Sequence, residues 1–442
     1  MNRFVYSSLI RALSPALLAW MALRARRAGG QWQVAGGARF GFYAAASPLA
    51  APVWVHAVSL GETRAAQPLV QALLDQGRQV LLTHLTATGR AEGQRLFADA
   101  IAGGRLAQEW LPYDFPGATR RFFSHYRPRV GVLIEREVWP NLLFSAGKAG
   151  LPMVLASARF SDQSLRQALR AGSVLREAYA AFSAVYAQTL ADAQRLEQAG
   201  ANGVRVSGNF KFDVNFPQQK IDRGHSFAAA LGRRIVVVAS TREGEDELFI
   251  QAIKRYLNRL EREGAEPHQR ALFCLVPRHP QRFDEAAALL TAAGLTFVRR
   301  SDLLQLGGNS SSAVQQCRET DVLLGDSLGE MPWYYALGNV AIVAGSFQPH
   351  GGQNLIEACA IGVPVIVGPH TVNFEQAVVD AIDEGAALRV PGPDHAVRTA
   401  LELLDDAPRT LRMGAAGRDW VQKHAGAVSR VLATINELDN VV

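Results

Sequence analysis

A chain of 442 residues is longer than one hydrophobic core usually sustains, so two domains are expected. Hydrophobic residues make up 48% and charged residues 19%, a balance that excludes a disordered protein and fits a packed α/β one. The net charge of +6 suits an anionic surface or substrate, but Lys and Arg are scattered without a basic run interleaved with aromatics, which argues against a nucleic-acid partner.

The first element is apolar. Residues 4–23 (FVYSSLIRALSPALLAWMAL) are long enough to span a bilayer as a helix, while Arg11 and Pro15 inside them leave a helix lying in the interface plane open as well. Arg24, Arg26 and Arg27 follow where a cleaved signal would want small residues, so residues 1–31 are read as a membrane anchor. The positive-inside rule then keeps the rest of the chain on the cytoplasmic face.

After Trp32, β-branched apolar runs alternate with helical periodicity. Strands are predicted at 53–59, 79–83, 109–112, 130–135, 153–156, 184–187 and 204–207, then at 235–239, 272–276, 296–298, 321–324, 340–344 and 364–367. Such alternation implies parallel strands joined by helical crossovers, hence an α/β protein with two Rossmann-like domains. Residues 210–225 (FKFDVNFPQQKIDRGH) are polar, aperiodic and contain Pro217, which reads as a linker. The expected division is 32–213 for the first domain, 214–226 for the linker and 227–442 for the second. The helical pattern over 409–438 is a candidate to fold back across the first domain. Parallel-sheet domains carry their ligand loops at the strands' carboxyl ends, expected to face a shared cleft. Cys274, Cys317 and Cys359 lie far apart without CxxC spacing and read as reduced core thiols with no metal site.

Polar residues cluster at those carboxyl ends. Ser59, Gly61 and Glu62 follow the first strand and start a helix. Glu62 either decorates the helix dipole or, partly desolvated, acts as a proton acceptor. Glu135, Arg136 and Glu137 end another strand, either to serve a ligand or to brace a capped turn. Arg159 repeats this layout and suits a phosphate or carboxylate; Lys211 is a cleft cation or a solvated linker charge. In the second domain Ser240 and Thr241 precede a helix start suited to phosphate oxygens, and Arg278 and His279 sit between Pro277 and Pro280 in a rigid loop. The segment GSFQPHGGQNLIEA places Gly345 and Ser346 after a strand, a turn at Gly351-Gly352 and a helix opening near Asn354 with Glu357 in its first turn. A carboxylate there can accept hydrogen bonds from two sugar hydroxyls, the layout of a nucleotide-sugar site; an ordinary strand–loop–helix crossover is the alternative. No DxD sequence occurs, which removes the usual carboxylate pair for a metal on a diphosphate.

In chain order HAVSLGE, EREVWPN, SARFSDQS, GNFKFD, STREGE, PRHPQRF, GDSLGEM, GSFQPHGGQNLIEA and GPHTVNF resemble the Kdo transferases, the 3-deoxy-D-manno-octulosonic acid transferases of lipopolysaccharide synthesis. The likeness covers nearly the whole chain. It implies the GT-B fold and an inverting glycosyltransferase that moves Kdo from CMP-Kdo to a lipid A precursor, lipid IVA, at the inner (cytoplasmic) membrane, with no cofactor and no metal. By resemblance Glu62 is the general base, and Lys211, Arg278, Ser346, Asn354 and Glu357 hold the CMP part, its phosphate or the Kdo carboxylate, with Glu357 on the ribose hydroxyls. Ser59, Gly61, Glu135, Glu137, Arg159, Ser240, Thr241, His279, Gly345, Gly351, Gly352 and Asn373 complete the expected substrate-binding set. Gln353 and Arg242 depart from the family pattern, which favours His at both places; both remain polar donors. CMP-Kdo has one bridging phosphate, so basic side chains and helix N-termini suffice to neutralise the leaving group. Competing readings are another GT-B enzyme, such as a UDP-sugar transferase or a UDP-N-acetylglucosamine 2-epimerase, and a non-catalytic sugar-nucleotide-binding membrane protein.

Overall fold

The computed structural model describes residues 1–27, 32–43, 46–214, 216–263 and 270–441. The chain divides into two compact units, Met1–Asp213 with His424–Val442, and Val214–Lys423. Each is built on a seven-stranded sheet in which every pairing is parallel. The central strands read as continuous apolar runs because helices cover both sheet faces.

In the first unit the strands are β1 (Val53–His56), β2 (Val80–His84), β3 (Leu106–Trp110), β4 (Val130–Ile134), β5 (Met153–Ala158), β6 (Ala184–Ala187) and β7 (Val204–Val206), in the order 3-2-1-4-5-6-7. In the second they are β8 (Ile235–Thr241), β9 (Leu272–Pro277), β10 (Phe297–Arg299), β11 (Val322–Leu324), β12 (Val340–Val343), β13 (Val365–Val367) and β14 (Ala387–Arg389), in the order 10-11-9-8-12-13-14. Strand order reverses between β1 and β4 in one unit and between β8 and β12 in the other. Crevices for ligands open beside the carboxyl ends of strands at such reversals.

Three sequence expectations change. β14 was not anticipated, since three residues are too few to show a period. β3 lies at 106–110, not 109–112; as an edge strand it carries half-exposed Gln108 and Glu109 in its middle and lacks the apolar run that marks its neighbours. The linker is much shorter than 214–226, because the helix Gln218–Leu231 begins inside it and buries Gly224, Phe227 and Leu231. Gly224 permits that packing: a Cβ there would sit 2.7 Å from the Trp333 carbonyl oxygen.

The carboxyl-terminal pattern is two helices, Ala407–His424 and Ala427–Val441, separated at Gly426, whose φ is +87°. The second helix packs into the first unit. The Asp213 carboxylate accepts hydrogen bonds from the backbone N–H of Gly426 (2.5 Å) and Val428 (2.8 Å), and Arg129 pairs with Asp439 at 2.5 Å. Val431 and Ile435 are fully buried beside β1, β4 and β5.

The N-terminal helix Arg3–Arg27 includes Pro15, and over Arg3–Leu23 it is long and apolar enough to cross a membrane. Phe4, Leu13, Trp20 and Leu23 on it are exposed. It is tied to the first unit by Tyr6, whose hydroxyl donates to Asp114 (2.9 Å), and Ser7, whose hydroxyl donates to Asn141 (2.8 Å). Residues 28–31 of the expected anchor and the side chains of Arg24 and Arg27 lie outside the described residues.

Candidate active site

In the first unit the loop after β1 turns at Ser59, which caps the helix Leu60–Asp75 with its side chain toward the Glu62 N–H. Helix Ala87–Leu96 presses on this loop. A Cβ on Gly89 would lie 2.9 Å from the Val58 carbonyl oxygen, and the Thr86 hydroxyl donates to that same oxygen at 2.9 Å. Glu62 is therefore held at a defined place: its Oε2 accepts from the Val58 N–H at 2.7 Å, and its Oε1 lies 3.4 Å from the Ser59 hydroxyl. Burial lifts its pKa from 4.5 to about 7 against the Val58 hydrogen bond, and the charges of Glu137 and Glu135 add to the rise. Such a group is a carboxylate able to take a proton near neutral pH. Gly61 is exposed beside it.

Glu135 and Glu137 come from the loop after β4, across the strand-order reversal. Glu135 has φ +61°, a left-handed conformation that costs a non-glycine residue energy and gathers at functional sites. Glu137 accepts from the Trp139 indole N–H at 2.8 Å, and burial raises its pKa. Two further left-handed residues, Ser157 (φ +51°) and Ser240 (φ +61°), stand at register shifts near the carboxyl ends of β5 and β8. These bulges re-aim the chain where each strand delivers its loop. Arg159, just past β5, is exposed. Lys211 lies in the single turn Phe210–Phe212, between two buried phenylalanines, with its N–H on the Asn209 side chain at 3.0 Å.

In the second unit Glu245 does what the sequence did not disclose. It is fully buried at the start of the helix Glu245–Arg262 and accepts three backbone hydrogen bonds, from Arg242 (2.8 Å), Gly345 (2.7 Å) and Phe347 (2.9 Å). The loops after β8 and β12 are thereby joined, and His350 Nε2 adds a contact to the Glu243 carbonyl at 3.0 Å. The Gly345 N–H is consequently occupied within the protein. So are two hydroxyls: Thr241 donates to buried Asp246, and Ser346 donates to the Val343 carbonyl and accepts from the Gly368 N–H, both at 2.8 Å. Arg282 binds Asp246 at 2.5 Å and holds the next loop. Gly244-Glu245 at a helix start was the signal that could have found the clamp.

His279 sits among Arg278, Arg242 and Arg282, and its pKa is lowered by burial and then by Arg242 and Arg278. The carboxyl ends of β8 and β9 thus carry a concentration of positive charge. The turn at Gly351 (φ +88°) and Gly352 (φ +83°) is closed by the Gly352 N–H on the Gly345 carbonyl (2.7 Å) and by Asn373, whose N–H donates to the Gly351 carbonyl (2.9 Å) and whose amide donates to the His350 carbonyl (3.2 Å). The helix that follows, Ile356–Ile361, opens two residues later than expected near Asn354. Asn354 instead lies just ahead of it, its side chain accepting from Ile356 N–H and donating to Glu357 at 3.1 Å each. Glu357 and Arg278 both act electrostatically on buried Tyr335, which puts the two in one neighbourhood. The three cysteines are free and buried, and among the described residues no group of three or more His, Cys, Asp and Glu is arranged to hold a metal ion.

Residues 35–214 match the family model described as 3-Deoxy-D-manno-octulosonic-acid transferase (kdotransferase). A 3-deoxy-D-manno-octulosonic acid transferase of Bordetella pertussis is 57% identical over 439 residues, covering 99% of both chains. One from Haemophilus influenzae is 30% identical over 440 residues, 98% of this chain and 97% of that one. A crystal structure of a glycosyltransferase from Rickettsia africae shares the fold, with a TM-score of 0.51 at 12% identity over 88% of this chain and 98% of that chain. Two parallel-sheet units of the GT-B type and identity sustained from end to end lead to one conclusion: this chain belongs to the 3-deoxy-D-manno-octulosonic acid (Kdo) transferase family.

Proposed function

We propose that this Kdo transferase moves Kdo from CMP-Kdo to a lipid A precursor of the lipid IVA type with inversion, and that Glu62 is the base. The observation that carries the reading is the half-buried Glu62 carboxylate at the strand-order reversal, its pKa raised to about 7. An acceptor hydroxyl oxygen attacks the anomeric carbon as the carbon–oxygen bond to CMP breaks. The hydroxyl proton passes to Glu62, and CMP leaves with the bonding electron pair. Glu135, Glu137, Ser59, Gly61 and Arg159 belong to the acceptor side of this reading, in an acceptor domain spanning 32–213.

The second unit is assigned the donor. Arg278, with Ser240 and His279 beside it, neutralises the single phosphate or the Kdo carboxylate, and Glu357 takes the ribose hydroxyls. Thr241, Gly345 and Ser346 enter as residues that hold the loops, since their polar groups bond within the protein, and Gly351, Gly352, Asn354 and Asn373 shape the turn. Guanidinium charge matches one phosphate, so the reaction is assigned no divalent ion. The apolar N-terminal helix supports placement at the inner membrane, with the two units on the cytoplasmic face and anionic lipid and acceptor within reach of a basic protein.

The test is mass spectrometry of the product formed from lipid IVA and CMP-Kdo, with NMR of the new anomeric centre. A Kdo-bearing lipid of inverted configuration supports the reading, and retention or absence of product refutes it. Calorimetry on Glu357→Ala and Arg278→Ala should show CMP binding weakened by about 1.5–3 kcal/mol each. Unchanged affinity in both would place the nucleotide elsewhere.

A further inference from the structure

His56, at the end of β1, is completely buried, and its Nε2 has no hydrogen-bond partner. An orphaned polar atom at such depth requires a reason. The other ring nitrogen resolves the tautomer. Nδ1 lies 3.0 Å from the Thr83 carbonyl oxygen and 2.9 Å from the Thr83 hydroxyl, which already accepts the Trp54 indole N–H at 2.8 Å. A carbonyl can only accept, so Nδ1 carries the proton and Nε2 presents a bare lone pair. The opposite tautomer would set two lone pairs against each other at 3.0 Å.

That lone pair faces Glu137, whose Oε2 is 4.0 Å away. The same Oε2 receives the Trp139 N–H. An ionised carboxylate would oppose its charge to a lone pair in a buried place, whereas a protonated one would accept from Trp139 and donate to His56 after a small side-chain rotation. We propose that Glu137 stands as a neutral carboxylic acid donating its proton to His56 Nε2, which makes His56 a positioning residue of the acceptor-side site. Burial acts in the same direction on both partners, raising Glu137 and holding His56 neutral with a pKa near 3. The titratable and charged groups around the pair are Glu62 on the helix after β1, Glu135 and Arg136 in the loop of Glu137, and His84 and Arg39 on the His56 side. With Glu137 neutral, the rise at Glu62 rests on burial, its largest cause, and on Glu135, without the charge of Glu137, and the carbonyl oxygen Oε1 of Glu137 can orient a sugar hydroxyl.

The consequence for turnover rests on the reading of Glu62 as the base, but the protonation state itself does not. Infrared difference spectra at pH 7 of Glu62→Gln against the Glu62→Gln/Glu137→Gln double variant should contain a carboxylic-acid C=O band from Glu137. Adding His56→Gln, which can offer an N–H to a carboxylate, should convert that band to a carboxylate band. Absence of the acid band at pH 7 would overturn the proposal, as would its persistence with His56→Gln. In the otherwise native enzyme, the acid limb of kcat/KM for Glu137→Gln should stay within about 0.3 pH unit of the parent whatever the rate. A downward displacement of about 0.5 unit or more would mean that a negative charge had been removed, and would also overturn it. Failure of the Glu62 assignment is distinguishable, for it would appear as near-normal turnover in Glu62→Gln with the infrared band unaffected.

Discussion

Replacing Glu62 by Gln should make the protein more stable at alkaline pH while removing most of its activity. In the folded state burial favours the neutral acid and lifts the pKa from 4.5 to about 7. Below pH 4 the group is protonated whether the chain is folded or not, and it costs nothing. Between the two values the unfolded chain releases the proton while the folded one retains it, so stability falls as pH rises. Above pH 7 both states are ionised and the full penalty stands, about 3 kcal/mol at about 1.4 kcal/mol per unit. A glutamine cannot ionise, and its carbonyl can keep the 2.7 Å bond from Val58 N–H. Equilibrium urea unfolding of both proteins should give nearly equal stabilities at pH 4, with the variant ahead by up to about 3 kcal/mol at pH 8.5. Turnover should drop by roughly 10²–10⁴-fold. A stability difference that does not grow with pH would refute the account of the pKa, and near-normal turnover would refute the role of the residue.

Glu245→Ala would leave two buried backbone N–H groups and one half-buried one without an acceptor, at a cost of about 3 kcal/mol or more, visible as a lower Tm with CMP affinity lost alongside; an unchanged Tm would contradict the clamp. Gly351→Ala drives a Cβ into the Asn373 amide at a φ of +88°, so CMP binding should weaken by about tenfold or more, measured by calorimetry. Deleting residues 1–27 should release the protein from membranes with Tm little changed, because Asp114 keeps the N–H groups of Asn141 and Leu142 after Tyr6 is gone. Turnover on detergent-dispersed acceptor should persist and resist EDTA; a folded but inactive truncation would show that the helix builds the acceptor site.

Alternation of apolar runs was enough to place both parallel-sheet units, since strands buried on two faces must be apolar throughout and their crossovers must be amphipathic. The motifs at the strand ends were legible for the same reason: Glu135 and Arg278 are polar residues directly after apolar strands, and Glu62 opens the helix that follows another. What the sequence concealed depends on partners distant along the chain. The helix Gln218–Leu231 hides its period behind a polar face and becomes visible only where Gly224 meets Trp333. Glu245 resembled any acidic residue in a first helical turn until Gly345 and Phe347, a hundred residues on, were seen to donate to it. Composition and spacing determine which residues are buried and which end a strand. Which carboxylate accepts from which N–H, and whether it is ionised, is decided by the tertiary structure, because desolvation and hydrogen bonding depend on atoms brought together only when the chain folds.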